Sequence, residues 1–224
     1  MIFRSLIPAL LAVSCCAAAA ATAPPKKFDP SRFSQAVTEC DRQASHHDDP
    51  FKVLPGKEPA EMDLPAAIVA CRADLQKDPG NPRLLYQLAR ALTYAGQVDE
   101  ALPVIEKSVS LNYPQSLFVT GYLYLDGAYK APKNPCRAGE LIRESALYGR
   151  IAGQVGFPKY VLDGRFKGCP VRQDPDEMAG FLEAAKASRP EYYTELLIDV
   201  LQKNLAASRN VGKAEERSPK RTTG

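Results

Sequence analysis

Two sets of side chains in this sequence have the chemical types that catalysis or metal binding uses. The first is the run His46-His47-Asp48-Asp49, which holds both histidines of the chain. Imidazole and carboxylate groups serve as zinc ligands and as general bases, so this run is a candidate site for a metal ion or for hydrolysis. However, neighbouring residues on one turn rarely converge on one ion. The run therefore favours a helix end, with an aspartate that caps or turns the chain before Pro50.

The sequence lacks the nucleophile that would act with a histidine base, because no serine lies in a Gly-x-Ser-x-Gly turn. The carboxylate pairs Asp99-Glu100 and Asp176-Glu177 stand at predicted helix starts, where the helix dipole stabilises negative charge. We therefore predict that the protein is not an enzyme and needs no cofactor or metal ion. One alternative stays open, an envelope hydrolase or metal-dependent enzyme that uses His46 and His47.

The cysteines form the second set. The chain has six of them, and two lie in an N-terminal segment that we expect to be removed. The four that remain are Cys40, Cys71, Cys136 and Cys169. An even number of cysteines without a Cys-x-x-Cys motif indicates two disulfides in an exported protein, with three connectivities open at this point.

Residues 1–23 have the layout of a secretory signal peptide, with one positive charge at Arg4, an apolar run and an alanine-rich end. The apolar run is shorter than the roughly 20 residues that a transmembrane helix needs. No later stretch is long and apolar enough, so we predict a periplasmic or secreted protein with no transmembrane segment after cleavage. Leu11 to Cys15 also resembles a bacterial lipoprotein box, which would make Cys15 a lipidated first residue.

The rest of the chain divides by composition. Residues 24–30 form a linker rich in proline and lysine, and residues 208–224 lack apolar periodicity and are predicted to be a disordered tail. The formal net charge is +3 at pH 7, and no basic stripe marks the intervening residues 31–207, so nucleic-acid binding is not indicated. Residues 31–207 suit one domain. Its first helix is predicted to start at Pro30 and to reach Ser45.

Helical spacing is clearest in residues 81–114, where Leu85, Leu88 and Leu92 recur on one face and Gly96 supplies the turn to a second helix. This unit resembles a tetratricopeptide repeat, which pairs two helices over about 34 residues. The resemblance implies a solenoid, in which each helix pair packs only against its neighbours.

Two longer units, 116–149 and 151–188, share Leu-Asp-Gly at Leu125 and Leu162 and resemble Sel1-like repeats. Together the units imply an all-α fold: a short right-handed α-solenoid of antiparallel helix pairs. A last helix over residues 191–207 has apolar residues at helical spacing, and we expect it to cap the solenoid.

The N-terminal part adds a further resemblance. Residues 40–50, Ala70-Cys71 and residues 82–96 resemble a module of exported and caspase-associated alphaproteobacterial repeat proteins. No caspase-like domain accompanies them in this sequence, so the resemblance implies the fold and not the peptidase activity.

The solenoid architecture chooses among the disulfide connectivities. Because only neighbours in sequence touch in a solenoid, it favours the pairs Cys40–Cys71 and Cys136–Cys169. Each bridge closes a loop of about 30 residues, for which the chain-entropy model gives a stabilisation of roughly 3–4 kcal/mol.

Solenoids of this type bind proteins. We therefore predict a periplasmic scaffold or adaptor that binds an unidentified protein of the cell envelope. An alternative is a periplasmic regulator that restrains a membrane sensor by binding its periplasmic domain. The candidate partner-binding residues, which could line a groove, are Gln87, Arg90, Tyr122, Tyr124 and Tyr160.

Overall fold

The structure is a computed structural model that describes residues 25–217. The predicted signal peptide with Cys15, and residues 218–224 of the predicted tail, lie outside the described residues. Within residues 25–217 the chain forms helices joined by turns and loops and contains no β-strand. The α-helices are α1 Glu39–Ala44, α2 Leu64–Lys77, α3 Pro82–Tyr94, α4 Val98–Ser110, α5 Pro114–Asp126, α6 Pro135–Leu147, α7 Ile151–Leu162, α8 Pro175–Ala187 and α9 Tyr192–Arg217. Short 3-10 helices span Pro30–Arg32, Pro59–Glu61 and Ala128–Lys130.

Each α-helix packs against the next one along the chain. The pairs α1/α2, α3/α4, α5/α6 and α7/α8 stack in sequence order, and α9 packs on both α8 and α7. This arrangement confirms the predicted all-α solenoid of helix pairs, in which contacts follow chain order.

The residues at the helix ends explain why the pairs form where they do. The Asn81 side chain accepts a hydrogen bond from the backbone N–H of Arg83 and so caps α3. Gly96 has a left-handed φ of +77° in the turn between α3 and α4, a conformation that costs glycine little. Pro82 and Pro114 stand at the first position of α3 and α5, where a missing N–H is harmless.

Two glycines allow neighbouring helices to approach closely. A Cβ atom on Gly121 of α5 would lie 2.6 Å from Cγ1 of Ile142 in α6. A Cβ atom on Gly153 of α7 would lie 2.7 Å from the backbone nitrogen of Ala146 in α6. Helix α6 therefore packs closely against the backbones of both of its neighbours, which fixes the stacking of the third and fourth pairs.

Both predicted disulfides are present. Cys40 and Cys71 join α1 to α2 with an S–S distance of 1.98 Å. Cys136 and Cys169 join the start of α6 to the loop before α8 with an S–S distance of 2.07 Å. The first bridge therefore links the two helices of one pair, and the second links adjacent pairs. Both agree with the expectation that neighbours in sequence touch in a solenoid.

Two helix boundaries differ from the prediction. The expected helix from Pro30 to Ser45 is interrupted: after the 3-10 turn at Pro30–Arg32 the chain is extended, and α1 begins only at Glu39. The cause is a capping box, in which the side chains of Thr38 and Asp41 each bond the backbone N–H of the other and restart the helix.

At the other end, α9 does not stop at residue 207 but continues to Arg217. Its last residues are mainly alanine, lysine, glutamate and arginine, which favour the helix even though none of them gives an apolar period. Residues 208–217 of the predicted tail therefore extend the helix.

Candidate protein-binding surface

The first helices of successive pairs form one side of the solenoid. One cavity opens between α3 and α5 and another between α7 and α9. A Cβ atom on Gly156 of α7 would lie 3.3 Å from the Phe118 ring of α5, so these helices stand next to each other in a row. We call this side the first-helix face. In repeat proteins, such a row is an extended surface on which partners bind.

The loop after α1 fills part of this face. Asp49 is 1% exposed, and its Oδ2 accepts a hydrogen bond of 2.7 Å from the Tyr113 hydroxyl at the start of α5. The His46 ring meets the Tyr86 ring of α3 edge-on at 6.0 Å, and its Nδ1 lies 3.4 Å from Nε2 of Gln115. We call residues 46–51 the insert loop, because they bridge α3 and α5.

Burial controls the charges in the insert loop. It lowers the pKa of His46 to about 4, assisted by the positive charge of Arg90, so the imidazole is neutral at pH 7. Burial raises the pKa of Asp49 and of Tyr113, although the hydrogen bond from Tyr113 acts against the shift at Asp49. Both groups belong to an internal hydrogen-bond network.

The run His46-His47-Asp48-Asp49 does not bring its side chains together around one ligand. The His47 ring stacks on His46 at 4.8 Å, and its Nδ1 lies 3.3 Å from a carboxylate oxygen of Glu58. In the part of the chain that the structure describes, no three His, Cys, Asp or Glu side chains are grouped to hold a metal ion. These contacts give the run a structural role in seating the loop.

A buried charged cluster holds α1 against α3. Asp41 is 1% exposed and binds Arg83 through two hydrogen bonds, Nε to Oδ1 at 2.8 Å and Nη2 to Oδ2 at 3.2 Å. Gln87 donates a third bond to Asp41 at 2.9 Å. One helical turn further on, Arg90 donates to the carbonyl oxygens of Ala44, Ser45 and Lys57 at 2.6–3.1 Å.

This cluster corrects two of the candidate partner-binding residues. Gln87 is 0% exposed and Arg90 is 5% exposed, so neither presents a polar group to an open groove. Both bind the N-terminal helix and its loop instead. The polar side of α3 was expected to line a groove, but α1 and the loop after it cover it and supply the acceptors.

One open part of the first-helix face is a cavity of about 180 Å³ between α3, α4 and α5. We call it the tyrosine cavity, because four tyrosines surround it. The residues that line it are His46, Tyr86, Arg90, Thr93, Tyr94, Ile105, Val119, Tyr122, Leu123 and Tyr129. Tyr122 and Tyr129 are 49% and 52% exposed and stand at its rim, whereas Tyr86 is buried within it. The cavity is therefore an apolar pocket with hydroxyl groups at its edge.

Among the predicted tyrosines, the structure brings only Tyr122 into this cavity. Tyr160 is half-buried on α7 and packs edge-on against Phe166 at 6.2 Å, and burial raises the pKa of its hydroxyl. Tyr124, also on α5, points away from the cavity, and its hydroxyl donates to Glu106 of α4 at 2.7 Å. Because successive helical residues diverge by about 100°, residues 122 and 124 lie on different sides of α5.

Three tyrosines of the cavity, Tyr86, Tyr94 and Tyr129, were not among the predicted partner-binding residues. Tyr94 stands four residues after Arg90, whose guanidinium lies 5.4 Å from the centre of its ring, so the i, i+4 spacing was an available signal. Tyr129 follows Gly127 in the loop after α5, and its ring lies 6.2 Å from that of Tyr94. No periodic pattern marks Tyr129, because a loop of positive φ angles places it.

Comparison with known proteins supports the repeat class. Residues 60–112 match the family model described as tetratricopeptide repeat. The matched residues contain α2, α3 and α4, and the stacked pairs that follow extend the same architecture. The match and the fold support a tetratricopeptide-repeat protein, a class that implies protein partners. Neither a curated protein nor a solved structure gave a significant match.

The helices across residues 25–217 are also too short or too polar to span a bilayer: none is both long and apolar enough to cross a membrane.

Proposed function

We propose that this protein is a periplasmic protein-interaction scaffold that binds a protein of the cell envelope through the tyrosine cavity. The observation that carries the proposal is the cavity itself, an open apolar pocket on the face that repeat proteins use for binding. Tyr122 and Tyr129 at its rim supply large contact area and a polar tip, the properties that make tyrosine a frequent anchor of interfaces.

The size of the cavity favours a partner side chain. Small-molecule and cofactor sites usually enclose about 300–1,000 Å³, whereas this cavity measures about 180 Å³. Its only charged lining residue is Arg90, whose two terminal nitrogens already bind backbone carbonyls. An apolar or aromatic side chain of the partner, inserted between the tyrosines, suits such a pocket.

The compartment is part of the same proposal. Disulfides persist in oxidising compartments such as the bacterial periplasm and are rare in the cytosol. Two bridges within the described residues, Cys40–Cys71 and Cys136–Cys169, therefore support export. The layout of residues 1–23 as a signal peptide supports the same conclusion.

Site-specific photocrosslinking in cells tests the proposal. A photoreactive residue replaces Tyr122 in one variant and Tyr193 in a control, because Tyr193 is 79% exposed on α9 but lies away from the cavity. We expect a specific envelope protein to crosslink at position 122 and not at position 193. Equal labelling at both positions, or none at 122, would contradict a binding role for the cavity.

A purified partner then permits a quantitative measurement. Tyr122→Ala should weaken its binding by about tenfold or more, the loss typical of an interface anchor. Tyr124→Ala is the matched control, because it removes a tyrosine two residues away that binds Glu106 on another side of the helix. The identity of the captured protein also separates a scaffold from a regulator, since the regulator hypothesis requires the periplasmic domain of a membrane sensor.

A further inference from the structure

An extended N-terminal segment crosses the ends of several helix pairs. At one end of residues 25–36, the backbone N–H of Lys26 donates to the carbonyl of Leu147 at 2.8 Å, next to the turn between α6 and α7. At the other end, the carbonyl of Ser34 accepts from Nδ2 of Asn81 at 2.9 Å, beside the turn between α2 and α3. We call residues 25–36 the strap.

One aromatic side chain anchors the strap. Phe28 is 8% exposed, and its ring lies 4.9 Å from that of Phe51 and 5.4 Å from that of Tyr113. Phe33, further along the strap, stacks on Phe28 at 5.9 Å. The Phe28 ring thus occupies an aromatic pocket built by the insert loop and the start of α5.

A charged contact fixes the register of the strap. The Lys26 ammonium pairs with the Glu144 carboxylate of α6 and lies 5.5 Å from the centre of the Tyr148 ring. In an extended chain, residues i and i+2 point to the same side. Lys26 and Phe28 therefore both contact the solenoid, although Lys26 stays exposed, while Lys27 between them is exposed and lies on the other side of the segment.

Residues 25–33 of the strap are weakly held for their length, whereas the buried Arg83 donates to the carbonyls of Ser34 and Ala36 at 3.2 Å and holds the far end of the strap. Phe28 is its only buried residue, and Pro30 and Phe33 are partly buried, while the other residues of the strap are exposed. Ordering each residue of an extended segment costs conformational entropy, and here a single buried apolar side chain and a few hydrogen bonds oppose that cost. The docked state of the strap is therefore only moderately favoured over the undocked state, which leaves a small undocked fraction.

We propose that the strap is a displaceable internal ligand, and that the surface beneath it binds an extended partner segment with a phenylalanine two residues after a lysine. The aromatic pocket of Phe51 and Tyr113 takes the phenylalanine. The Glu144 carboxylate selects the positive charge. This surface is separate from the tyrosine cavity, so the inference does not rest on the scaffold function. The strap regulates it by competing for the same contacts.

A labelled peptide with the sequence of residues 25–36, PKKFDPSRFSQA, tests the proposal by fluorescence anisotropy on the exported chain. In the unchanged protein the strap occupies the site, so the apparent affinity falls in proportion to the small undocked fraction. Phe28→Ala should empty the pocket and tighten peptide binding by about tenfold or more. Lys27→Ala is the matched control, because Lys27 is exposed in the same segment and its loss should leave the affinity unchanged.

The chemistry of the pocket is tested in the same assay. A peptide with alanine in place of its first phenylalanine should lose binding to the Phe28→Ala variant. Glu144→Gln in that variant should weaken binding of the original peptide. Equal peptide affinity for the Phe28→Ala and Lys27→Ala proteins would overturn the proposal, as would a dimer that forms by exchange of straps between two copies.

A second measurement needs no variant and so does not depend on whether Phe28→Ala folds fully. Excess peptide added to the unchanged protein should accelerate hydrogen exchange at the Lys26 amide, which is bonded to Leu147 only while the strap is docked. Amides within α6 should keep their protection. Peptide binding without faster exchange at Lys26 would show that the strap is not displaced and would refute the inference.

Discussion

The carboxylate of Asp41 is the centre of the contact between α1 and α3, and Asp41→Asn is the sharpest perturbation of it. The side chain of Asp41 is 0% exposed and that of Arg83 is 3% exposed. The two oxygens accept from Arg83, Gln87 and the backbone and hydroxyl of Thr38, all at 2.8–3.2 Å. Asparagine keeps the shape of the aspartate side chain but replaces one carboxylate oxygen with an NH2 group. This donor then faces the donors of the neighbouring residues.

The expected loss of stability follows from the burial of this pair. Removing one partner of a buried ion pair leaves the other charge uncompensated and typically costs about 3–5 kcal/mol. Every remaining donor around Asp41 is also buried or part-buried, so water cannot replace the lost acceptor without opening the structure. We therefore expect the free energy of unfolding to fall by about 3–5 kcal/mol, a large part of the usual 5–15 kcal/mol.

Urea denaturation followed by circular dichroism measures this change, with the disulfides intact in all variants. The control is Glu100→Gln, which removes one partner of the pair between Glu100 and Arg72. Both of those side chains are 48% exposed, so the control should lose less than about 1 kcal/mol. A loss for Asp41→Asn that is no larger than the loss for Glu100→Gln would refute the conclusion that this buried cluster holds α1 in place.

Three further predictions test the packing and the charges. Burial lowers the pKa of His46 to about 4 from 6.5, so the unfolded chain takes up its proton first as the pH falls. The stability that this histidine confers is complete above pH 6.5 and is lost towards pH 4. His46→Gln should therefore flatten the pH dependence of urea unfolding by about 1–3 kcal/mol, after allowance for partial exposure; an unchanged slope would contradict the burial. Replacing Cys40 and Cys71 with serine opens a loop of sequence separation 31 and should lower the free energy of unfolding by about 4 kcal/mol in the same assay. An unchanged midpoint of urea unfolding would contradict the presence of this bridge. Gly121→Ala places a methyl group 2.6 Å from a side chain of α6 and should destabilise by about 1–3 kcal/mol. Gly180→Ala is the control, because Gly180 has open space around it on α8, and it should stabilise the protein by up to about 1 kcal/mol. Equal effects of Gly121→Ala and Gly180→Ala would show that α5 and α6 are not in close contact.

Local chemistry made the helices predictable from the sequence. Asp63 accepts from the backbone N–H of Ala66 at 3.1 Å and so caps the start of α2. Gly96 ends the first helix of the clearest unit with a positive φ angle. These signals depend only on residues close together in the chain, so helix ends can be predicted from the local sequence.

The candidate site depended on contacts that no local pattern contains. Arg83, Gln87 and Arg90 recur at helical spacing on α3 and together look like a solvated polar stripe. They are buried because α1 and the loop after it supply acceptors to all three. The periodicity of one helix shows which residues share a face, but it does not show whether another segment covers that face.

The insert loop and the strap together change what the solenoid offers to a partner. A solenoid in which only neighbours touch would leave the whole first-helix face open. Here Asp49 reaches Tyr113 across 64 positions, and Lys26 reaches Glu144 across 118 positions. These two long-range contacts tie the N-terminal segment to the third helix pair, α5/α6, and the segment covers part of the face. What stays open between α3 and α5 is the tyrosine cavity, so recognition there should depend on a few side chains of the partner and not on a long groove.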